Sequence, residues 1–249
     1  KNNNLYDKNN NMKRIAIIIP AYNETENLKN LVTKINQNLS NCEIYIVDDS
    51  KTNESEKTLE QFKNINYIFR GKKLGRGSAV LLGISKCIEK KFDIYIEMDA
   101  DFSHNPDELE KKIKKFIQSN ADILIASRYL KESKIINWNL LRRIFSKLSN
   151  FLARRLLKIP ISDYTNGFRI YSHQAANLIS NKCGKIGDGF IVLSEILVVL
   201  FNNGLNIVED STVFVNRKRG ESSVNLKLII HSFLGLIKLY FLKNKKHGI

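Results

Sequence analysis

Apolar residues follow two rhythms through the first half of this chain. Short continuous runs read as buried strands: Ile15 to Pro20, Glu43 to Val47, Asn66 to Phe69, Asp93 to Met98 and Ala121 to Ala126. Segments with helical spacing lie between them. One runs from Glu24 to Asn38, with Leu28, Leu31, Val32 and Ile35 on a single face. A second follows the loop Gly71-Lys72-Lys73-Leu74-Gly75-Arg76-Gly77 and continues to the neighbourhood of Glu89. A third starts at Asn105-Pro106-Asp107-Glu108, where an N-cap is followed by an N1 proline. Strand and helix in alternation predict an α/β fold, a parallel sheet covered by helices on both faces.

The second half changes rhythm. Trp138 to Lys158 reads as an amphipathic helix. Leu141, Ile144, Phe145, Leu148, Phe151 and Leu152 form one face, and Arg143, Lys147, Arg154 and Lys158 run along another. Asp163 to Tyr171 reads as a loop and short strand, Asp188 to Asn202 as a helix, and Leu205 to Val215 as strand-like. Leu226 to Leu242 is an apolar helical stretch trailed by Lys243, Lys245 and Lys246. There is no internal repeat and no Pro- or Gly-rich linker. The expected organisation is a polar, Asn-rich disordered leader over 1–12, one domain over 13–223, and an apolar, basic interface helix over 224–249. The leader lacks the apolar centre of a secretory signal. No run of eighteen apolar residues predicts a membrane-spanning helix.

Composition narrows the picture further. At 249 residues, 43% hydrophobic and 26% charged, the chain can bury one substantial core. Cys42, Cys87 and Cys183 are scattered without a C-x-x-C pair, so they read as small core hydrophobes in a reducing compartment. The net charge of +15 is carried entirely by residues 127–169 and 211–249, while the remainder balances. A basic excess so confined points to a directed anionic partner, such as a phosphate substrate or an anionic membrane surface. Nucleic acid is not expected, because the aromatics are not interleaved with Lys and Arg as stacking platforms require.

Candidate chemistry gathers at strand ends. Asp99 and Asp101 close the fourth strand two residues apart, so both side chains leave the extended backbone on one side. That suits joint capture of Mg²⁺ or Mn²⁺, which take oxygen ligands and bridge to substrate phosphates. Pro20-Ala21-Tyr22-Asn23-Glu24 and Asp48-Asp49-Ser50 end two other strands. Tyr22 could stack on a nucleobase, while Glu24 and Asp49 could accept hydrogen bonds from a base or a ribose. Together with Gly71 to Gly77, these loops read as a nucleotide site at the carboxyl edge of an open sheet. It is not a dinucleotide site, since Val80 replaces the third glycine of G-x-G-x-x-G. No P-loop occurs either.

Six strings occur in the order and spacing of one family: Val47-Asp48-Asp49-Ser50, Leu74-Gly75-Arg76-Gly77, Met98 to Pro106, Ser127-Arg128-Tyr129, Asp163 to Arg169, and Arg217 to Ser222. Over roughly residues 13–242 the chain resembles the dolichol-phosphate (polyprenyl-phosphate) mannose synthases. These are GT-A glycosyltransferases of family 2, and the resemblance is to their short form without added transmembrane domains. It implies a GT-A, Rossmann-like and mostly parallel sheet, with amphipathic interface helices towards the C-terminus. It also implies a GDP-mannose donor, with Pro20, Tyr22, Glu24, Val47 and Asp49 around the nucleoside. Asp99, Asp101 and Ser103 match the metal site, and Ala100 lines the donor pocket. Arg128, Arg142 and Ser146 match positions that meet donor or lipid phosphates, and Arg217 matches an arginine on the diphosphate. One departure stands out: the family's lysine six residues after that arginine is Ser223 here, with Lys218 and Arg219 as nearby sources of charge.

The reaction so implied is a single inverting displacement. A lipid monophosphate has a second pKa near about 6, so it is already a largely anionic nucleophile at neutral pH. The acceptor is a polyprenyl or dolichyl phosphate, and the product a β-linked polyprenyl-phosphate mannose. The enzyme is expected at the cytoplasmic face of a membrane as a peripheral protein, with a small membrane-anchoring subunit as a further partner. The alternative is a sister enzyme that moves glucose or an N-acetylhexosamine from a UDP-sugar to the same kind of lipid.

Overall fold

The computed structural model describes residues 13–216, 234–241 and 243. Its main sheet contains β1 (Ile15–Ala21), β2 (Cys42–Asp48), β3 (Ile65–Phe69), β4 (Ile94–Glu97), β5 (Ile123–Ser127), β7 (Arg169–Ser172) and β8 (Ile207–Ser211). The strand order is β3-β2-β1-β4-β7-β5-β8, and β6 (Lys134–Ile136) pairs with β9 (Val213–Val215) in a separate ribbon. The helices are α1 (Thr25–Asn38), α2 (Glu54–Leu59), α3 (Arg76–Cys87), α4 (Leu109–Gln118), α5 (Leu140–Leu157), α6 (His173–Lys182) and α7 (Ile191–Asn202). Residues 234–241 are helical as well.

The continuous apolar run of β1 is explained by burial on both faces. Ala16 and Ile18 point into one core with Val80 and Ile84 of α3 and Ile196 of α7. Ile15, Ile17 and Ile19 point into the other, with Leu28, Leu31, Val32 and Ile35 of α1 and Ile113 of α4. The helical face read from Glu24 to Asn38 is the face that is buried. Cys42 and Cys87 are buried thiols, and burial pushes them up to about 11 and about 12.

The sheet departs from a wholly parallel reading at one strand. β7 enters between β4 and β5 and runs antiparallel to both. The chain reaches β7 from a loop over the carboxyl edge of the sheet, so Arg169 at the start of β7 lies opposite Glu97 at the end of β4. Three short elements, α2, β6 and α6, also lie where no element was expected. α6 is capped by Ser172, whose hydroxyl accepts from the Ala175 amide at 3.1 Å. It packs through Ala175, Ala176 and Ile179, too few large residues to mark a stripe.

α5 turns most of its apolar stripe outward. Leu140, Leu141, Ile144, Phe145, Leu148 and Phe151 are 49–72% exposed. Leu152 packs on the core, and the side facing inward is Asn150, Ala153 and Leu157. The expected leader over 1–12 and the segment 217–233, with Arg217, Lys218, Arg219 and Ser223, lie outside the described residues. So does part of the expected closing helix. Leu236 and Leu239 from its described part enter the α3–α7 core.

Candidate active site

β1 pairs with β2 on one side and with β4 on the other, so the chain reverses its direction of winding there. Loops at the carboxyl ends of the strands flank that crevice, where open α/β sheets hold ligands. The loops Pro20–Glu24, Asp48–Ser50 and Met98–Asp101 are neighbours: the Asp49 amide donates to the Ala21 carbonyl at 2.9 Å, and the Met98 amide to the Ile18 carbonyl at 3.1 Å.

Asp48 and Asp49 have separate duties. Asp48 is sunk in the sheet and accepts from the Ser50 amide at 2.8 Å, the Ser50 hydroxyl, and the Tyr67 hydroxyl at 2.8 Å. The Asp49 carboxylate accepts from Arg70 Nε and from the Leu74 and Gly75 amides at 2.8 and 2.9 Å. In this structure its oxygens therefore shape the turn that begins α3. Gly75 in that turn has φ +102, and a Cβ there would lie 2.6 Å from the Asp188 carbonyl oxygen. Only glycine meets both demands.

Of the other residues assigned to the nucleoside, Tyr22 has the Lys73 ammonium 4.2 Å from its ring centroid. Glu24 is half-buried and accepts from Asn27 Nδ2 at 2.6 Å. Pro20 is half-buried and Val47 is fully enclosed. Ala100 is also buried.

At the end of β4, Asp99 is held by a residue outside the expected site. Arg76, the first residue of α3, donates from Nε to Asp99 Oδ1 at 2.8 Å and from Nη1 to Glu97 Oε1 at 2.6 Å. Burial would raise the Asp99 carboxyl, but the Arg76 guanidinium outweighs it and holds the group below its ordinary value. The Asp99 amide donates to His104 Nδ1 at 3.0 Å, which places the ring proton on Nε2, 2.9 Å from Asn166 Oδ1. Asp101 Oδ1 accepts from the Ser103 amide at 3.0 Å. The Ser103 hydroxyl is buried with no hydrogen-bond partner.

Two carboxylates and an orphaned hydroxyl within five residues fit a divalent cation that completes its shell with phosphate and water. Among the described residues no group of three His, Cys, Asp or Glu side chains forms a closed protein cage. The donor set therefore suits a cation carried with a diphosphate.

A basic centre adjoins these carboxylates. Arg128 follows β5, is nearly enclosed, and makes a bidentate pair with Asp163, both bonds at 2.8 Å. Burial would raise the Asp163 carboxyl, but Arg128 and the amides around it hold it below its ordinary value. Trp138 lies against both Arg128 and Arg142, whose guanidinium carbons are 5.3 and 4.4 Å from its ring centroid. Ser146, one turn along α5 from Arg142, accepts from the Tyr129 hydroxyl at 2.6 Å. The expected residues Arg128, Arg142 and Ser146 thus share one neighbourhood. Arg217 lies outside the described residues, but Asn216 just before it receives Arg142 Nη1 on Oδ1 at 2.6 Å.

Sequence reasoning missed Arg76, Glu97 and Asp163. The available signal was the glycine pattern: Gly167 leaves the space that the Arg76 guanidinium fills, and a Cβ there would collide with it.

This architecture is that of the GT-A glycosyltransferases, and comparisons with known proteins agree. The model of glycosyl transferase family 2 matches residues 16–179, and the chain belongs to that family. It is a glycosyltransferase. It is similar to the polyprenol monophosphomannose synthase of Mycolicibacterium smegmatis, at 30% identity over 86% of this chain and 82% of that protein. It is 32% identical to the dolichol-phosphate mannosyltransferase of Pyrococcus furiosus over 91% of this chain, and spans 63% of that protein's length. Among solved structures it resembles glucosyl-3-phosphoglycerate synthase from Mycobacterium tuberculosis in complex with Mn²⁺, UDP and glucosyl-3-phosphoglycerate. The TM-score is 0.64 at 16% identity, covering 93% of this chain and 80% of that one, which supports the fold. Among the described residues no helix is long and apolar enough to cross a membrane.

Proposed function

We propose that this chain transfers mannose from GDP-mannose to a polyprenyl or dolichyl monophosphate with the help of Mg²⁺ or Mn²⁺. The observation that carries the reading is the basic centre of Arg128 and Arg142, with Ser146 alongside, close enough for the Arg128 charge to act on Asp99. One arm suits an acceptor phosphate and the other a donor diphosphate. The named activities of the two curated relatives support the same acceptor and sugar.

Asp99, Asp101 and Ser103 would hold the cation, which supplies charge stabilisation for the departing diphosphate. Arg128 is locked on Asp163, so its remaining donor capacity is pre-aimed and needs no reorganisation on phosphate binding. Arg142 and Ser146 would orient the lipid phosphate, whose oxygen attacks the anomeric carbon as the sugar–phosphate bond breaks and the configuration inverts. No general base is needed, because the nucleophile arrives ionised.

The membrane supplies the acceptor. The outward stripe of α5 and the basic residues beside it suit the interface of an anionic leaflet. Phe151, Arg154, Arg155 and Lys158 line a cavity of about 640 Å³ at the end of the same helix. The cytoplasmic leaflet, with its negative surface potential, is the surface such a face would dock on. A small membrane-anchoring subunit would supply the second attachment that stable binding requires.

Labelled GDP-mannose or UDP-glucose, polyprenyl phosphate and Mg²⁺ or Mn²⁺, followed by lipid extraction, tests the reading directly. Labelled lipid is expected from GDP-mannose. Product from UDP-glucose alone would assign the chain to the sister reaction, which Ser223 in place of the family's lysine leaves chemically accessible. Asp99→Ala should lower transfer by about two orders of magnitude or more, the loss expected when several kcal/mol of charge stabilisation disappears.

A further inference from the structure

Arg76 stands at the start of α3 and turns its guanidinium away from solvent into the carboxylates of β4. Nη1 reaches Glu97 Oε1 at 2.6 Å, and Nη2 lies 3.5 Å from the Gly167 carbonyl. Nε and Nη2 both fall on Oδ1 of Asp99, at 2.8 and 2.6 Å. Glu97 is fully buried, and its other oxygen accepts from the Tyr171 hydroxyl at 2.6 Å. A chain of contacts thus runs from Tyr171 through Glu97 and Arg76 to Asp99.

Two features of this chain exceed what packing requires. The first is its stereochemistry. Because both nitrogens take the same oxygen of Asp99, no hydrogen bond from a described residue reaches Oδ2, and His104 Nε2 stays 3.8 Å away. The second is its charge. A lone guanidinium on Asp99 would cancel the carboxylate and repel a cation. With Glu97 on the other side, the two carboxylates and one guanidinium carry a net charge of −1, so Asp99 keeps its attraction for a cation. Burying a glutamate in the sheet is costly without a partner, and Arg76 and Tyr171 satisfy it.

We propose that Arg76 is a positioning residue: it fixes the rotamer of Asp99 so that Oδ2 faces the donor's metal diphosphate, and Glu97 cancels the charge this would otherwise add. The inference rests on the metal-dependent reading above. Partners that orient a ligating carboxylate in this way typically change metal affinity about 10–100-fold when removed.

The test uses the full chain and the metal alone with nucleotide. Bound Mn²⁺ is titrated by electron paramagnetic resonance with GDP or UDP present, and nucleotide affinity is measured separately in EDTA. Arg76→Gln should weaken Mn²⁺ retention about 10–100-fold, and Arg76→Lys should restore part of it. Nucleotide affinity in EDTA should stay at the wild-type value, which a collapsed loop would not allow. Gly167→Ala crowds the guanidinium while leaving every charge in place, and should weaken Mn²⁺ in the same direction. This variant serves if Arg76→Gln does not fold. Mn²⁺ held as tightly as by wild type, or more tightly, in the folded variants would overturn the proposal, since Arg76 would then be indifferent or a competitor. Wild-type protein that retains no Mn²⁺ with either nucleotide would instead overturn the metal-dependent reading, and this inference with it.

Discussion

Arg128 and Asp163 show how a side chain's surroundings decide its use. A bidentate pair this deeply buried is costly to assemble, but it fixes the guanidinium in one orientation, as the proposed role on a phosphate requires. The Asp163 carboxyl is depressed in the folded chain, so the folded state binds fewer protons there than the unfolded state does. Its contribution is therefore complete above the unfolded value of about 3.9 and is lost as the pH falls through the lower folded value. Asp163→Asn should destabilise the protein at neutral pH by about 3–5 kcal/mol, the cost of leaving Arg128 buried without its counter-charge. The variant should also show a flatter fall in stability below about pH 4, measured by urea unfolding at a series of pH values. An acid limb unchanged from wild type would contradict this account.

Among the elements, α5 is arranged against the usual logic of an amphipathic helix. Its small and polar side, Asn150 and Ala153, packs inward, and Asn150 spans the helix to the Tyr164 amide at 2.7 Å. Leu140, Leu141, Phe145, Leu148 and Phe151 face out, while Leu152 and Leu157 near the end of the helix join the core. Surface leucines held this way contribute little to folding, so replacing them tests docking without disturbing the core. Leu141→Gln combined with Phe151→Gln should leave unfolding free energy within about 0.5 kcal/mol per site. Two such side chains, each worth about 1.5–3 kcal/mol on full burial, should cost at least about tenfold in binding to anionic vesicles. Vesicle flotation reads the second quantity, and undiminished flotation would remove α5 from the docking surface. The short β7 teaches a related lesson. Its four residues look like any parallel strand until the loop from Asp163 brings the chain in from the opposite edge.

Across the protein, the crevice between β1 and β4 gathers parts from both halves of the chain: Arg76, Asp99, Arg128 and Asp163, with Arg142 beyond them on α5. A ligand bridging such distant segments should stabilise the fold as a unit. GDP with Mn²⁺ at about a hundred times its dissociation constant would add about 2.7 kcal/mol, a rise of several degrees in Tm. EDTA should cut the shift back to that of the nucleotide alone, and Asp99→Ala should show no more than that smaller shift. A shift of full size in that variant would place the metal elsewhere.

The residue pattern alone determined the strand-and-helix alternation of the first half, the buried face of α1, the carboxylates at strand ends and the basic segments. Each of these follows from local periodicity or from composition, which neighbouring residues suffice to express. The family strings added the order of the site. Partner choice across long separations is a different matter. Asp49 turned inward to Arg70 and the Leu74 and Gly75 amides, Arg76 met Asp99 and Glu97 over a gap kept by Gly167, and α5 faced its apolar side outward. Those outcomes depend on which surfaces the packed sheet and helices leave buried, and burial is a property of the assembled chain, not of any segment read by itself.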